Sequence, residues 1–238
     1  ALAVLRAASY RVAIARAAEG DARSSRPRCC GRTWLGAGLV DEAKREARRM
    51  VEALSPHVAR GAAIVGLEPS CLLSLRDEFL AMGFGDAAAR LAGRAMLVEE
   101  FLAREHAAGR LRLPLGAIAQ KRALVHGHCH QKAFDALSPT VAMLKLVPGL
   151  AVDVVESSCC GMAGSFGYEA EHHELSMRMA ELSLLPAVRA VDADTLIVAD
   201  GTSCRHQIAD GTRSGGAGRE AVHAIRVLAS ALRTAPTP

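Results

Sequence analysis

The sequence is poor in aromatic residues and in lysine. Its 238 residues include only 5 Phe, 2 Tyr and 1 Trp, which argues against a single-stranded nucleic-acid binder built on base stacking. Only four of its 29 basic residues are lysines, and the arginines that supply the rest are interleaved with Asp and Glu. The net charge of +4 therefore reflects a bias in composition, and no nucleic-acid partner is expected.

Long apolar runs are also missing. No uncharged apolar stretch reaches the roughly 18 residues that a membrane-spanning helix needs, so no transmembrane segment is predicted. Half of the residues (50%) are nevertheless hydrophobic, as in a globular chain with a sizeable core. The chain opens on Ala-Leu-Ala-Val-Leu-Arg without a methionine, and we expect it to be the C-terminal portion of a longer protein.

Cysteine is the informative residue type. The seven cysteines include two vicinal pairs that are each followed by glycine, Cys29-Cys30-Gly31 and Cys159-Cys160-Gly161. An odd number of cysteines with vicinal pairs is a poor disulfide framework, whereas clustered cysteines in a reducing compartment bind metal or perform redox chemistry. We therefore expect a cytoplasmic location, at the inner face of the membrane if the complete protein reduces quinones.

Both vicinal pairs are followed by a further cysteine at a similar distance. Cys71 follows Cys30 by 41 positions, and Cys204 follows Cys160 by 44 positions. Each pair is also preceded by a strand-like run and followed by a long amphipathic helical stretch. The two halves are therefore predicted to be an internal duplication with an offset of about 130 residues.

This offset divides the chain into two predicted repeats. Residues 1–115 would be the first repeat, truncated at its N-terminus, and residues 116–238 the second. Cys129, in the second repeat, has no counterpart in this sequence because the offset places its equivalent just before residue 1.

Hydrophobic periodicity predicts an α/β fold with short parallel sheets flanked by helices. Four cysteines of the second half follow predicted strands or lie close behind them, so they are expected to converge where the carboxyl ends of parallel strands meet. A flexible loop is expected over 211–219 and a frayed end at the C-terminus. The predicted strands are 11–15, 62–67, 122–127, 151–156 and 195–199, and the predicted helices are 1–8, 38–54, 71–82, 86–108, 138–147, 169–189 and 219–233.

Four thiolates suit either tetrahedral zinc or an iron–sulfur cluster. Zinc sites usually draw ligands from Cys-x-x-Cys knuckles, and this sequence has none. Adjacent cysteines crowd a single ion, whereas a cluster of several irons offers each of them a partner. The spacing favours the cluster, zinc in a structural or docking domain is the alternative, and thiol–disulfide catalysis at the vicinal pairs is a third hypothesis.

Histidines and cations lie near the second set of cysteines. His126, His128 and His130 alternate around Cys129, and on a strand they would share one face. Each has the chemistry of a ligand, a proton donor or a hydrogen-bond partner of a thiolate, or it is simply a polar strand end. Five residues near the ligands are candidates for supporting them, and the cations among them could do so by offsetting thiolate charge. They are His128, His130, Lys132, Arg205 and His206.

The duplicated segments Cys29-Cys30-Gly31 and Cys159-Cys160-Gly161 resemble the cysteine-rich CCG domain. This domain occurs in heterodisulfide reductase, in the iron–sulfur subunit of glycolate oxidase and in related lactate and glycerol-3-phosphate dehydrogenase subunits. The closer resemblance is to the C-terminal part of fused FAD- and iron–sulfur-binding oxidoreductases of 2-hydroxyacids such as glycolate, D-lactate and D-2-hydroxyglutarate. The resemblance extends from about residue 10 to 233, and its motifs are Glu68–Cys71, His126–Lys132, Ser158–Tyr168 and Asp200–Gln207.

The resemblance implies an electron-transfer region in an oxidoreductase that acts on the CH–OH group of a 2-hydroxyacid. FAD and further iron–sulfur centres would lie in upstream modules of the same polypeptide or complex, and the acceptor would be a quinone or a carrier protein. The fragment alone is expected to have no dehydrogenase activity. A cluster of the 4Fe-4S type would be held by Cys129, Cys159, Cys160 and Cys204, with a possible second site at Cys29, Cys30 and Cys71.

The sequence departs from heterodisulfide reductase in one respect. In that family each CCG segment ends in Cys-x-x-Cys, whereas the corresponding segments here read Glu68-Pro-Ser-Cys71 and Gly201-Thr-Ser-Cys204. One cysteine is therefore replaced in each segment, which argues against disulfide reduction and favours a simpler site of four thiolates.

Overall fold

The computed structural model describes residues 1–213 and 218–233. Over these ranges helices alternate with short strands. The helices are α1 (Leu2–Ala7), α2 (Arg32–Gly36), α3 (Val40–Ala59), α4 (Pro69–Ser74), α5 (Glu78–Ala81), α6 (Gly85–Ala92), α7 (Val98–Ala107), α8 (Cys129–Ala133), α9 (Leu137–Leu144), α10 (His173–Glu181), α11 (Leu184–Ala190), α12 (Thr202–Arg213) and α13 (Ala224–Ser230). The strands are β1 (Ile64–Gly66), β2 (Ala95–Leu97), β3 (Arg122–His126), β4 (Ala151–Val154), β5 (Leu196–Ala199) and β6 (Ala221–Val222).

The chain divides into two compact units. The smaller unit is Ala13–Phe101, and the larger unit joins Ala1–Val12 to the described residues from Leu102 onward. This division reflects which parts of the chain pack together. The predicted boundary at residue 115 concerns repetition in the sequence and stays a prediction.

A four-stranded parallel sheet forms the centre of the larger unit. Its strand order is β4-β3-β5-β6, and β3 and β5 pair in parallel with Val125 opposite Val198 and His126 opposite Ala199. Residues 123–126 of β3 are buried, as expected for an apolar strand in the middle of a sheet covered by helices.

The smaller unit contains a two-stranded parallel sheet, with Ile64 of β1 opposite Ala95 of β2. The 20-residue helix α3 buries one face, including Ala43, Ala47 and Val51, because apolar residues recur at helical spacing along it. Both units thus have short parallel sheets flanked by helices, and the predicted α/β fold class is confirmed.

Two of the predicted elements are wrong. The predicted strand at 11–15 is irregular chain, and Ile14 is 74% exposed; an apolar alternation forms a stable strand only where a neighbouring strand takes up its backbone hydrogen bonds. The predicted helix 86–108 is interrupted by β2, whose Ala95 and Leu97 are buried. Pairing with β1 outweighs the local helical pattern there.

Several boundaries also differ from the predicted ones. The helices α8 and α12 were not predicted, since their polar sequences resemble turns. The predicted helix 169–189 consists of turn residues 169–172 followed by the two separate helices α10 and α11, and residues 219–233 contain β6 before α13. In the predicted 211–219 loop, α12 continues to Arg213, while residues 214–217 and the predicted frayed end at 234–238 lie outside the described residues.

The core of the larger unit extends to its cysteines. Cys160 and Cys204 belong to a buried cluster with Leu124, Met162 and Ile197. The cysteines are therefore anchored against the apolar face of the sheet. Over the described ranges, no helix is both long enough and apolar enough to cross a lipid bilayer.

Candidate metal centre

The cysteines of the larger unit lie where three neighbouring strands end. Cys129 is the first residue of α8, directly after β3. Cys204 is the third residue of α12, directly after β5. The pair Cys159-Cys160 follows β4. Because β4, β3 and β5 are parallel neighbours, their carboxyl ends share one edge of the sheet, where binding groups of α/β folds collect.

The four thiols form one continuous series of contacts. Cys129 hydrogen-bonds Cys159, Cys159 hydrogen-bonds Cys160, and Cys160 hydrogen-bonds Cys204. Cys160 and Cys204 are 4% and 1% exposed, whereas Cys129 and Cys159 are partly accessible. The structure thus brings the four predicted cluster ligands together, while their role as ligands stays a prediction.

These contacts separate the thiols into donors and acceptors. Hydrogen bonds from Cys129 and Cys160 lower the pKa of Cys159. The Cys160 thiol, and then the His126 ring, hold the pKa of Cys204 well below its usual value. The same bonds, together with burial, raise the pKa of Cys129 and of Cys160. The thiolate is the metal-binding form of cysteine, and a bound cation would take the place of the shared protons.

The glycine after the vicinal pair makes this arrangement possible. Gly161 has φ +94°, and a Cβ atom there would lie 2.1 Å from the carbonyl oxygen of Ser176 on α10. That oxygen accepts a hydrogen bond of 3.0 Å from Gln207 Nε2 on α12, and the Gly161 N–H donates to Cys159 Sγ at 3.3 Å. Only glycine combines this backbone conformation with so close an approach.

The smaller unit repeats this local geometry. Gly31 has φ +81°, and its missing Cβ would lie 2.6 Å from the carbonyl oxygen of Ala43 on α3. Its N–H donates to Cys29 Sγ at 3.4 Å. Cys71 is the third residue of α4 and follows β1, the position that Cys204 has in α12.

The three thiols of the smaller unit also contact one another. Burial raises the pKa of Cys29, the hydrogen bond to Cys71 raises the pKa of Cys30, and the same bond lowers the pKa of Cys71. The three predicted residues of the possible second site therefore lie together.

The histidines near Cys129 do not share a strand face, and that expectation is wrong. The strand β3 ends at His126, and Gly127 leads into α8. His128 caps α8, with its Nδ1 accepting from the backbone N–H of His130 at 3.1 Å. The rings of His128 and His130 lie edge to face with centroids 5.6 Å apart, whereas His126 stays at the end of β3.

Lys132 holds the loop that carries the vicinal pair. Its Nζ donates to the carbonyl oxygen of Ser158 at 2.6 Å and also to that of Ser157. The ammonium thus ties α8, which begins at Cys129, to the residues directly before Cys159. It acts here by positioning the backbone, and an effect of its charge on a metal stays a prediction.

The other predicted cations are held by different partners. The Arg205 guanidinium donates from Nη1 to the carbonyl oxygens of Ala199 and Asp200, at 2.9 and 2.6 Å, and so closes the turn between β5 and α12. His206 Nδ1 lies 2.6 Å from the hydroxyl oxygen of the exposed Tyr168.

Sequence reasoning missed the carboxylate that joins the ligand-bearing elements. Asp200 is 2% exposed; its Oδ2 accepts from Gln131 Nε2 at 2.8 Å and from Thr140 Oγ1 at 3.1 Å, and its Oδ1 accepts from the N–H of Ala224 at 2.9 Å. Gln131 lies in α8, two residues after Cys129, so the network ties that helix to the end of β5. The signal in the sequence is an acidic residue directly after a buried strand.

Residues 123–209 match the cysteine-rich domain family called CCG. This segment is a CCG domain. The CCG domain runs from β3 into α12 and contains Cys129, the vicinal pair and Cys204.

The similarity to several known proteins extends over more of the chain than the CCG domain does. It is 29% identical over 209 residues, 87% of its length, to one of the subunits of anaerobic glycerol-3-phosphate dehydrogenase from Escherichia coli (strain K12). It is 28% identical over 72% of its length to D-2-hydroxyglutarate dehydrogenase of the same strain, and 28% identical over 64% to lactate utilization protein A 1 of Bacillus mycoides (strain KBAB4).

The matches cover only part of these relatives. The chain spans 50% of the glycerol-3-phosphate dehydrogenase subunit, 16% of the hydroxyglutarate dehydrogenase and 62% of the lactate utilization protein. No solved structure matches it. Together, the CCG domain, its relatives and the clustered thiols support metal binding, and sulfur donors fit a thiophilic metal.

Proposed function

We propose that this chain is the C-terminal iron–sulfur electron-transfer region of a FAD-linked 2-hydroxyacid dehydrogenase or oxidase, relaying electrons from the flavin to an acceptor. The observation that carries the proposal is the continuous series of four thiols at one edge of the CCG-domain sheet. Similarity to proteins named as dehydrogenases supports the assignment to an oxidoreductase.

In this proposal Cys129, Cys159, Cys160 and Cys204 hold a cluster of the 4Fe-4S type, which when bound supplies one-electron storage and transfer. The chain's own residues hold and shield it. Cys160 and Cys204 lie in the apolar core and exclude water on the inner side, while the partly accessible Cys129 and Cys159 face the side from which a partner approaches.

The remaining parts of the enzyme would lie outside this chain. We place the FAD module and a ferredoxin-like module in the same polypeptide or complex, with a quinone or a carrier protein as the acceptor. The small share of the hydroxyglutarate dehydrogenase that the chain spans, 16%, supports a larger assembly. A 2-hydroxyacid substrate rests on the resemblance of the motifs.

We also propose that residues 1–115 and 116–238 are repeats and that the smaller unit has a second metal site. The supporting observations are the shared backbone geometry at Gly31 and Gly161 and the shared helix position of Cys71 and Cys204. The three cysteines of the smaller unit would need one more donor to match the four of the larger unit.

The test is anaerobic purification and reconstitution with iron and sulfide, followed by iron, sulfide and zinc analysis and an absorption spectrum. We expect about four irons and four sulfides per chain at the larger site. The variant Cys160→Ser should lose them, because its thiol lies in the middle of the contact series. The matched variant Cys71→Ser, in the smaller unit, should keep the signal of the larger site.

The zinc analysis distinguishes the alternative, a zinc-binding domain, from an iron–sulfur site. Stoichiometric zinc without iron, lost in Cys160→Ser, would overturn electron transfer and would make the segment a structural or docking domain. Redox activity in a metal-free protein would instead favour thiol–disulfide chemistry.

A further inference from the structure

His126 is a buried histidine at the edge of the thiol series. It is the last residue of β3, lies opposite Ala199 of β5, and is 2% exposed. A side chain at this position is fixed by the two central strands of the sheet. Its ring therefore has a defined orientation toward its neighbours.

The two ring nitrogens are in different situations. Nδ1 lies 2.9 Å from the hydroxyl oxygen of Ser157. Nε2 is buried and has no hydrogen-bond partner of normal geometry among the described residues. The His126 ring instead contacts the Cys204 sulfur, and that buried nitrogen–sulfur contact is where a metal ion would take both atoms as donors.

Two cysteine thiols lie beside the His126 ring. A ring nitrogen of His126 and the Sγ atoms of Cys160 and Cys204 all lie within 4.8 Å of one another. All three residues are at most 4% exposed. Sulfur and imidazole nitrogen at these separations have the spacing of donors around one metal ion, whose bonds to them measure about 2.0–2.3 Å.

The contact with Ser157 fits the same function. A metal-bound histidine generally donates its other N–H to an oxygen, which fixes the tautomer and leaves the second nitrogen's lone pair for the metal. With Nδ1 donating to Ser157 Oγ, Nε2 is the nitrogen that is free to coordinate.

We propose that His126 Nε2 is a ligand of the metal centre, beside Cys160 and Cys204. The proposal rests on the metal site of the proposed function and makes it a mixed site of thiolate and imidazole donors. Because imidazole is neutral, it adds a donor to the centre without adding negative charge.

The test uses pulsed electron paramagnetic resonance on protein that contains ¹⁵N-labelled histidine, has been reconstituted with iron and sulfide, and has been reduced with dithionite to its paramagnetic state. We expect a strong nitrogen coupling in the wild-type protein. It should disappear in His126→Asn and persist in His173→Asn, whose exposed side chain makes it a matched control. Ser157→Ala should keep the coupling, because Nε2 is untouched. Competition with a chelator should show about tenfold weaker metal binding in His126→Asn.

Wild-type protein with only weak nitrogen couplings, or a strong coupling that survives in His126→Asn, would overturn the proposal. The wild-type measurement needs no variant and therefore does not depend on the folding of His126→Asn. If iron and sulfide are absent, the proposed electron transfer fails. The ligand can then still be tested with cobalt(II), because this paramagnetic ion occupies zinc sites and would report the same nitrogen.

Discussion

The clearest structural prediction concerns the glycine after the vicinal pair of the larger unit. Gly161→Ala adds one methyl group at a residue with φ +94°, directly against the carbonyl oxygen of Ser176 at 2.1 Å. The backbone must move, because neither the loop nor the carbonyl of α10 is a flexible side chain.

The cost has two parts. Placing an L-residue in the left-handed region costs about 1–2 kcal/mol. Displacing the Ser176 carbonyl also breaks its bond with Gln207 Nε2, which is buried with only 3% of the residue exposed, and this adds about 1–3 kcal/mol. We expect Gly161→Ala to lower the free energy of unfolding by about 3 kcal/mol.

Gly149→Ala is the matched control. Gly149 belongs to the same unit and has φ +76°, but a Cβ there would meet nothing within 4 Å. Only the backbone strain applies, so the expected loss is about 1 kcal/mol. With a urea dependence of about 2 kcal/mol/M, the two variants should lower the unfolding midpoint by about 1.5 M and about 0.5 M, as followed by circular dichroism.

Equal midpoints for the two variants would refute this reasoning, since the close approach to Ser176 would then carry no energy. Hydrogen exchange gives a local check. Amides of α10 and α12 should lose protection in Gly161→Ala and keep it in Gly149→Ala.

Three further predictions test the supports of the site and of the larger unit. Lys132→Met removes two charge-assisted hydrogen bonds to the carbonyls before the vicinal pair, and amide exchange in that loop should rise about tenfold by mass spectrometry. Asp200→Ala leaves buried donors of three elements without their acceptor and should cost about 3 kcal/mol in urea unfolding, whereas the exposed Asp194→Ala should change stability by less than about 0.5 kcal/mol. Arg110 is the main cause that lowers the pKa of Glu105 from 4.5 to about 2. Because the arginine is 59% exposed, this contributes about 1–2 kcal/mol of stability, which is present above pH 4.5 and lost as the pH falls toward 2. Glu105→Gln should therefore flatten the acid limb of the stability profile.

Each of these has an outcome that contradicts it. Unchanged exchange in Lys132→Met would mean that the loop is held without the ammonium. Similar losses for the two aspartate variants would remove the buried network as the cause. An acid limb of unchanged slope in Glu105→Gln would place the titration at another carboxyl group.

The elements that were predicted correctly are those whose signal is local. The apolar runs of β3, β4 and β5 are short and bounded by polar residues, and each appears within about two residues of its predicted limits. The strand at 11–15 carries a similar signal and fails, because strand formation also requires a neighbour. The helix 86–108 fails for the complementary reason, since pairing with β1 takes three of its residues into a sheet.

The sequence by itself determined the fold class and the cysteines to examine, because apolar periodicity and the spacing of Cys-Cys-Gly segments are properties of the chain order. Only the tertiary structure decided which residues contact one another around these cysteines. Asp200 and Gln131 are 69 positions apart, and His126 reaches Cys204 across 78 positions. Such contacts depend on the order and register of the strands in the sheet, which no local pattern encodes.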